Sequence, residues 1–318
     1  MRGWRKAISG LLAVLIAAGT GGCADRLADP PDEAGQPVEI AVAIEKSSPA
    51  PVAEALQTFC DNLYQFSGKT LHASLQHWED VTQSQAEILF LPSERFFQLD
   101  PEMNVLRTDF LFSSYAHFEA AMNAPALLEL LNRSFSQKTG YAIHSVSYGG
   151  KRLLVSGAGD FVEALRSDTA NIIRDAISDI AVNASIRIEP ADFSRPPEED
   201  ALYYVDTPQL GGLTEEETEG YIIINLDYLY HFNLLCISDR LEDRLTRMQL
   251  AAIYEAAAIA KPSCDQTYQA LDTQGSRRFT SAILPSQKLQ RAIREMQSAY
   301  PHPALASPIY QQIREYSS

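Results

Sequence analysis

Cys23 is the residue whose neighbours point most clearly to a chemical modification. Small residues at 19–22 precede it, and an apolar run at 7–18 lies before these, behind three basic residues. Basic residues followed by about twelve apolar ones are typical of a secretory signal. As a helix, such a run is too short to cross a hydrocarbon core of about 30 Å. We therefore expect residues 1–22 to be a signal peptide and Cys23 to be the acylated first residue of a lipoprotein. The alternative is an uncleaved anchor in which the cysteine is incidental.

The other reactive side chains are not arranged for catalysis or metal binding. The sequence contains no GxSxG, HExxH or P-loop motif. The six histidines are scattered, and His72 and His77 are five apart, which puts them on different sides of a helix or a strand. Cys60, Cys236 and Cys264 allow one disulfide at most, and we expect Cys60 and Cys236 to be small buried hydrophobes. These patterns predict no enzyme, cofactor or metal.

Charge excludes some classes of partner. The chain has 26 basic and 41 acidic residues, and removal of the signal takes away three basic residues, so its net charge falls from −15 to −18. Such a charge argues against nucleic acid and anionic lipid as partners. The net charge does not exclude a small anionic solute, because the affinity for such a solute depends on the local charge of its binding pocket.

The elements that would position a site alternate between strand and helix, which indicates an α/β sheet. A polar, Pro-rich spacer at 23–37 comes first, and the roughly 280 residues after it suit two domains. No second apolar run is long enough to span a membrane, so we expect the folded part to be tethered outside the cytoplasm. The predicted strands are 38–44, 71–75, 88–91, 141–146, 152–155, 185–188, 203–205, 221–226 and 234–237. The predicted helices are 52–66, 109–122, 126–135, 161–165, 169–180, 246–261 (stopped by Pro262) and 286–300, and a turn is predicted at 148–150.

Four stretches, in order, resemble the extracytoplasmic solute receptors of tripartite ATP-independent periplasmic (TRAP) transporters. They are residues 88–122 (with FLPSERF), 145–156 (SVSYGGKRLLVS), 161–168 (FVEALRSD) and 221–258. The resemblance implies a fold like that of periplasmic binding proteins, with a hinge and a cleft between two α/β domains. It places domain I at residues 38–143 plus 227–262 and domain II at 144–226 plus 263–318.

The resemblance also implies a site for a carboxylate solute. The arginine that forks onto the carboxylate in the family falls on Arg166, and a second one, after the glycine turn, falls on Arg152. Guanidinium suits this role because its parallel donors match two carboxylate oxygens. The spacing between the two arginines is shorter than is usual in the family.

Other ligand contacts follow from the same resemblance. Ser93, Glu94 and Arg95 are candidates for the cleft wall, or an ordinary loop with a salt bridge. Tyr148 would stack on a ligand or lie in the core. Gln209 partly replaces an asparagine that the family has near the hinge.

Three function classes stay open. The first is a receptor that delivers a small carboxylate-bearing solute to the membrane subunits of a TRAP transporter. The second is a sensory or degenerate receptor of the same fold, favoured by the altered stretch at 205–209 and the short spacing from 152 to 166. The third is an unrelated structural surface lipoprotein. The sequence does not identify a solute.

Overall fold

The computed structural model describes residues 37–108, 110–157, 189–196, 202–279, 282–283 and 306–316. Cys23, Arg166 and residues 1–36 lie outside these ranges, as do the elements predicted at 161–165, 169–180, 185–188 and 286–300. Among the described helices, none is long and apolar enough to cross a membrane. The division into two domains stays a prediction.

One mixed sheet organises the described residues, and its strand order is β2-β1-β3-β7-β4-β6-β5, with β8 also paired to β7. The β1 pairings with β2 and β3 are parallel, whereas β3–β7, β7–β4 and β4–β6 are antiparallel. The strands are β1 (Val38–Glu45), β2 (Leu71–Trp78), β3 (Ile88–Pro92), β4 (Tyr141–Gly157), β5 (Glu189–Pro190), β6 (Leu202–Asp206), β7 (Tyr221–Ser238) and β8 (Ala282–Ile283). This architecture confirms the predicted α/β fold class.

The helices connect the strands, pack against the sheet or pack against one another. They are α1 (Ala50–Phe66), α2 (Ser93–Leu99), α3 (Tyr115–Met122), α4 (Pro125–Thr139), α5 (Thr207–Leu210), α6 (Asp239–Glu242), α7 (Arg247–Ser276) and α8 (Pro308–Arg314). The helix predicted from residue 109 begins only at Tyr115, because the Ser114 hydroxyl caps it by accepting from the His117 N–H. The three described cysteines are buried free thiols, which confirms the expected burial of Cys60 and Cys236.

Strands β4 and β7 are each longer than predicted, at 17 and 18 residues. The predicted turn at 148–150 is wrong, because the chain continues there as a strand whose register shifts between Tyr148 and Lys151. A Cβ on Gly149 would lie 2.9 Å from the backbone of Phe232, and one on Gly150 (φ +96°) would lie 2.5 Å from Thr207. These glycines therefore permit close packing and a bulge in place of a turn.

The prediction that Pro262 stops a helix is also wrong, because α7 continues through Pro262 and is 30 residues long. A proline in a helix loses one hydrogen bond and crowds the preceding turn, at a cost of about 3 kcal/mol. Here the residues on both sides of it, including Ala260, Cys264 and Tyr268, are buried against the sheet. This packing outweighs the local cost, and Pro262 itself is exposed.

Two hydrophobic clusters lie along this framework. The larger cluster contains the apolar side chains of β1, β3, α1, α3 and α4, and the smaller one contains Leu153, Val155, Val205, Leu210, Tyr221, Ile223 and Phe279. Strands β4 and β7 pass from one cluster to the other. Both strands are irregular near the crossing, where β4 shifts register and Asp227 of β7 has φ +51°.

Candidate functional site

The predicted cleft residues Ser93, Glu94 and Arg95 form the first turn of α2, directly after β3. They are helical, so the alternative of a loop is wrong for this segment. Ser93 is buried, and its hydroxyl donates to Glu94 at 3.2 Å. Arg95 donates through Nε to Glu45 Oε1 at 2.6 Å and so holds the end of β1. Of the three, Glu94 is the one that contacts His231 of β7.

Arg152 binds a carboxylate of its own chain. The β4–β6 register places it opposite Asp206, and its Nε and Nη2 donate to the two Asp206 oxygens at 2.7 and 2.8 Å. Its guanidinium also lies 3.8 Å from the ring centroid of Tyr204. This is the two-pronged, ring-stacked geometry that suits arginine and that lysine cannot reproduce.

His231 of β7 joins Glu94 to Asp206. Its Nδ1 lies 2.8 Å from Glu94 Oε1, and its Nε2 lies 3.0 Å from Asp206 Oδ1. This second contact is an ion pair, and Nε2 has no well-aligned hydrogen bond among the described residues. The side chain is 11% exposed, whereas the Glu94 side chain is 55% exposed. The result is a chain of alternating charges, Glu94–His231–Asp206–Arg152.

This arrangement shifts the pKa values of its members. Burial lowers the pKa of His231, but its close contacts with the Asp206 and Glu94 carboxylates outweigh burial and raise it to about 9. Burial raises the pKa of Glu94, but contact with His231 outweighs burial and lowers it to about 2. The Asp206 carboxyl is held well below its usual pKa, because Arg152 and His231 overcome its burial. All four groups are therefore charged at neutral pH.

Tyr148 and Gln209 have contacts within the fold. Tyr148 is a core residue, and its hydroxyl donates to Asp272. Its N–H, which the β4 irregularity leaves free of the ladder, donates to Asp265 at 2.5 Å. Gln209 accepts from the Asp206 N–H at 3.1 Å and so caps α5.

The sequence indicated part of this site. Glu94 and Arg152 were singled out by it and lie in one charge chain. Ser93 contacts Glu94 and Gln209 contacts Asp206, whereas Arg95 and Tyr148 make separate contacts. His231 was missed, and nothing in its apolar surroundings could have indicated it. Within the described residues, no group of three or more His, Cys, Asp or Glu side chains is arranged to hold a metal ion.

Comparisons with known proteins agree at the level of fold. No protein-family model matches the chain. No curated protein matches its sequence.

A TRAP periplasmic solute-binding protein from Rhodobacter sphaeroides superposes with a TM-score of 0.63 at 14% identity, over 88% of this chain and 99% of that one. One from Haemophilus influenzae with bound L-gulonate (TM-score 0.59, 14% identity) covers 88% and 99%. One from Desulfovibrio desulfuricans with bound sn-glycerol-3-phosphate (TM-score 0.58, 14% identity) covers 88% and 100%. The fold is thus that of TRAP periplasmic solute-binding proteins, which confirms the resemblance seen in the sequence.

Proposed function

We propose that this chain is an extracytoplasmic solute-binding lipoprotein that captures a small carboxylate-bearing solute for a TRAP-type membrane transporter. The supporting observation is that the fold extends over 88% of the chain and over nearly the whole of each solute-binding neighbour. Such a protein binds and releases its solute unchanged, so no catalytic residue is assigned. The acidic ligands of two neighbours favour an anionic solute for this chain as well.

Arg166 is the residue we propose to receive the solute's carboxylate. Arg152, the other candidate, already donates to both Asp206 carboxylate oxygens through Nε and Nη2. A solute would have to displace Asp206 before it could form the same contact. This internal pair favours Arg166 as the primary anchor, with Arg152 contributing to the wall of the site through Asp206.

Binding is tested by thermal unfolding with a panel of sugar acids, C4-dicarboxylates, keto acids and amino acids. A ligand of the folded state adds RT ln(1 + [L]/Kd), or about 2.7 kcal/mol at 100 times Kd. We expect one acid to raise the melting temperature of the parent and of an Arg133→Ala control, in which an exposed arginine is removed. Arg166→Ala should lose most of the shift, and an undiminished shift would refute the assignment of Arg166.

The lipid anchor has its own test. We expect the mature protein, extracted from membranes, to begin at Cys23 with acyl chains attached, because small residues precede this cysteine behind an apolar signal. Mass spectrometry of the N-terminal peptide measures this directly. A Cys23→Ser variant is the control and should lack the acyl mass. Residues 1–22 found intact, or an unmodified start further along the chain, would contradict the prediction.

A sensory or degenerate receptor of the same fold is the second candidate function. The pairing of Arg152 with Asp206 favours it, since a guanidinium saturated by its own chain does not need a solute. The two functions differ in their genetic context, because a transport receptor should be encoded beside small and large transporter membrane subunits. If those genes are absent and no acid shifts the melting temperature, the second function is the better account.

A further inference from the structure

Helix α7 carries an exposed apolar strip on the side opposite to its buried residues. Its members lie within about 100° of one another around the helix axis, at 100° per residue. They are Met248, Ala251, Ala258, Ile259 and Pro262, and all five are exposed. The strip is about 21 Å long, at 1.5 Å per residue. Glu255 is the one charged side chain on this described face.

The other exposed large hydrophobic side chains lie close to this strip. The described residues include four of them, and three belong to α7: Met248, Tyr254 and Ile259, at 79%, 43% and 49% exposed. The fourth, Phe66, ends α1, which packs along α7. Tyr254 is exposed although its ring stacks on His144 with centroids 4.3 Å apart. Exposed apolar side chains grouped in this way are typical of a contact surface.

The described fold begins beside the same strip. Val38, the first residue of β1, donates its N–H to the Thr70 carbonyl at 2.9 Å. The Thr70 hydroxyl accepts from Gln249 Nε2 at 3.1 Å, and Gln249 follows Met248 in α7. Phe66 precedes Thr70 by four residues. The start of β1 is therefore adjacent to the end of α1 and to the first turn of α7.

This position matters because of the lipid proposed on Cys23. Cys23 and Val38 are 15 residues apart, and such a length of chain spans about 50 Å at most. A lipid on Cys23 therefore keeps the start of β1, and with it the first turn of α7, within about 50 Å of a bilayer. A short tether gives an effective concentration in the millimolar range. A surface with only millimolar affinity for the bilayer is then docked for much of the time.

We propose that the strip of α7, together with Phe66, docks on the surface of the phospholipid bilayer to which the chain is tethered. This inference rests on the lipid anchor of the proposed function. Tyr254 suits the boundary between headgroups and acyl chains, because its ring is apolar and its hydroxyl is polar. Docking keeps the receptor at the membrane surface, where the membrane subunits of a transporter lie.

Charge selects the kind of bilayer. Without residues 1–22 the net charge of the chain is −18, that is −15 less three basic residues, and Glu255 lies within the strip. Anionic headgroups repel such a surface. A zwitterionic headgroup offers an ammonium group to Glu255 and a phosphate to the exposed Lys69 and Arg247, which lie near Phe66 and Met248 in the chain. The occupant we assign is therefore a zwitterionic phospholipid surface.

A second copy of the chain fits the strip less well. Two-fold symmetry brings the same surface of both copies together. The strip extends from Met248 to Pro262, so its midpoint is Glu255. In a two-fold pair of these strips, parallel in register or antiparallel, the two Glu255 carboxylates meet, and like charges at short distance repel each other.

The test measures which reagents reach the strip at a membrane. The mature acylated chain is placed in phosphatidylcholine vesicles with a spin label on Ala258→Cys or, as the control, on Arg133→Cys. Collisions of the label with apolar oxygen and with a water-soluble nickel chelate are then compared. The three described native cysteines are buried, and burial raises their thiol pKa values, which protects them from the label.

The control position lies on the other face of the sheet. Arg133 belongs to α4, and its side chain is 67% exposed. Helix α4 packs through Phe135 on Phe96, which contacts Phe232 of β7. Helix α7 packs near Leu235, three residues further along β7 and so on the opposite face of that strand.

We expect the label on Ala258→Cys to collide more often with oxygen than with the nickel chelate, and the label on Arg133→Cys to show the reverse. Adding Ile259→Asp, which places a charge in the strip, should abolish the difference between the two labels. Gln137→Asp makes the same change of charge at an exposed position of α4 and should preserve it. Phosphatidylglycerol vesicles should protect the label on Ala258→Cys less than phosphatidylcholine vesicles do.

A label on Ala258→Cys that the nickel chelate reaches as readily as the label on Arg133→Cys would overturn the proposal. A short label-to-label distance between chains would overturn it too, because the strip would then belong to a second copy. An unacylated Cys23 removes the tether and with it this inference. No solute is present, so a receptor that binds an acid but leaves the strip in water keeps the proposed function and loses only the docking surface.

Discussion

Asp206 has three contacts that matter at the scale of single residues. Its two oxygens accept from the guanidinium of Arg152, one of them also faces His231, and its N–H donates to Gln209. Burial would favour the neutral acid, yet the two cations keep its pKa below the usual range. The two cations therefore keep the buried carboxylate ionised, and the carboxylate compensates the buried charges of both cations.

Replacing Asp206 tests this mutual dependence. Asp206→Asn keeps the size of the side chain but leaves Arg152 and His231 without their shared anion. Both cations are largely buried, with side chains 19% and 11% exposed. We expect a loss of about 3 kcal/mol in the free energy of unfolding, the low end for breaking a buried ion pair. Urea denaturation at pH 7 measures it.

The control for this variant is an ion pair on the surface. Glu129→Gln removes the pairing with Arg133, whose side chains are 75% and 67% exposed. Exposed pairs contribute little, so its effect should be much smaller. Equal effects of the two variants would mean that Asp206 is solvated and that its ion pairs contribute no more to the free energy of unfolding than an exposed pair does.

The limits of sequence reasoning at this scale have a physical cause. Glu94 and Arg152 were found because they lie in stretches that resemble a known family. Asp206 was within a stretch that drew attention but was given no role, and His231 was missed. The partners in the pairs they form are 137 residues (Glu94 and His231) and 54 residues (Arg152 and Asp206) apart in the chain. Strand register sets such contacts, and a single sequence does not contain that register in readable form.

At the scale of elements, local sequence patterns predicted the helices and strands correctly where tertiary packing favours the same structure, and incorrectly where packing favours another. Strands β1, β3 and β6 and helix α1 follow from hydrophobic periodicity or short apolar runs, within a few residues. The glycines at 149–150 predicted a turn and the proline at 262 predicted the end of a helix. Strand β4 nevertheless continues through the glycines, and helix α7 continues through the proline. In each case long-range packing of the strand or helix outweighs the local preference.

Helix α7 therefore contains a local cost that a substitution can remove. Pro262→Ala should raise the free energy of unfolding by about 1–3 kcal/mol, since alanine restores a helical N–H and relieves crowding, less the entropy that proline takes from the unfolded chain. Thermal or urea unfolding measures the change. Ser263→Ala, at the next exposed helical position, is the control and should alter stability by about 0.5 kcal/mol or less. A destabilised Pro262→Ala would show that the proline makes a contact the helix needs.

At the scale of the whole molecule, the ordered series of resembling stretches predicted the fold although no one motif is diagnostic. The match to TRAP solute-binding proteins at 14% identity shows that the fold is shared although few residues are identical. The match concerns the fold and does not compare the side chains of the pocket. The solute therefore has to be found by experiment.

The most direct test of the central claim is calorimetric titration of the full chain with the acid found in the panel and with its uncharged carboxamide. A guanidinium fork binds two carboxylate oxygens, and an amide offers only one acceptor and no charge. We predict one-site binding of the acid and a loss of at least about 2 kcal/mol, or roughly thirtyfold in Kd, for the amide. An amide that binds as tightly as the acid, or a chain that binds none of the acids at millimolar concentration, would contradict the account of this protein as a carboxylate receptor.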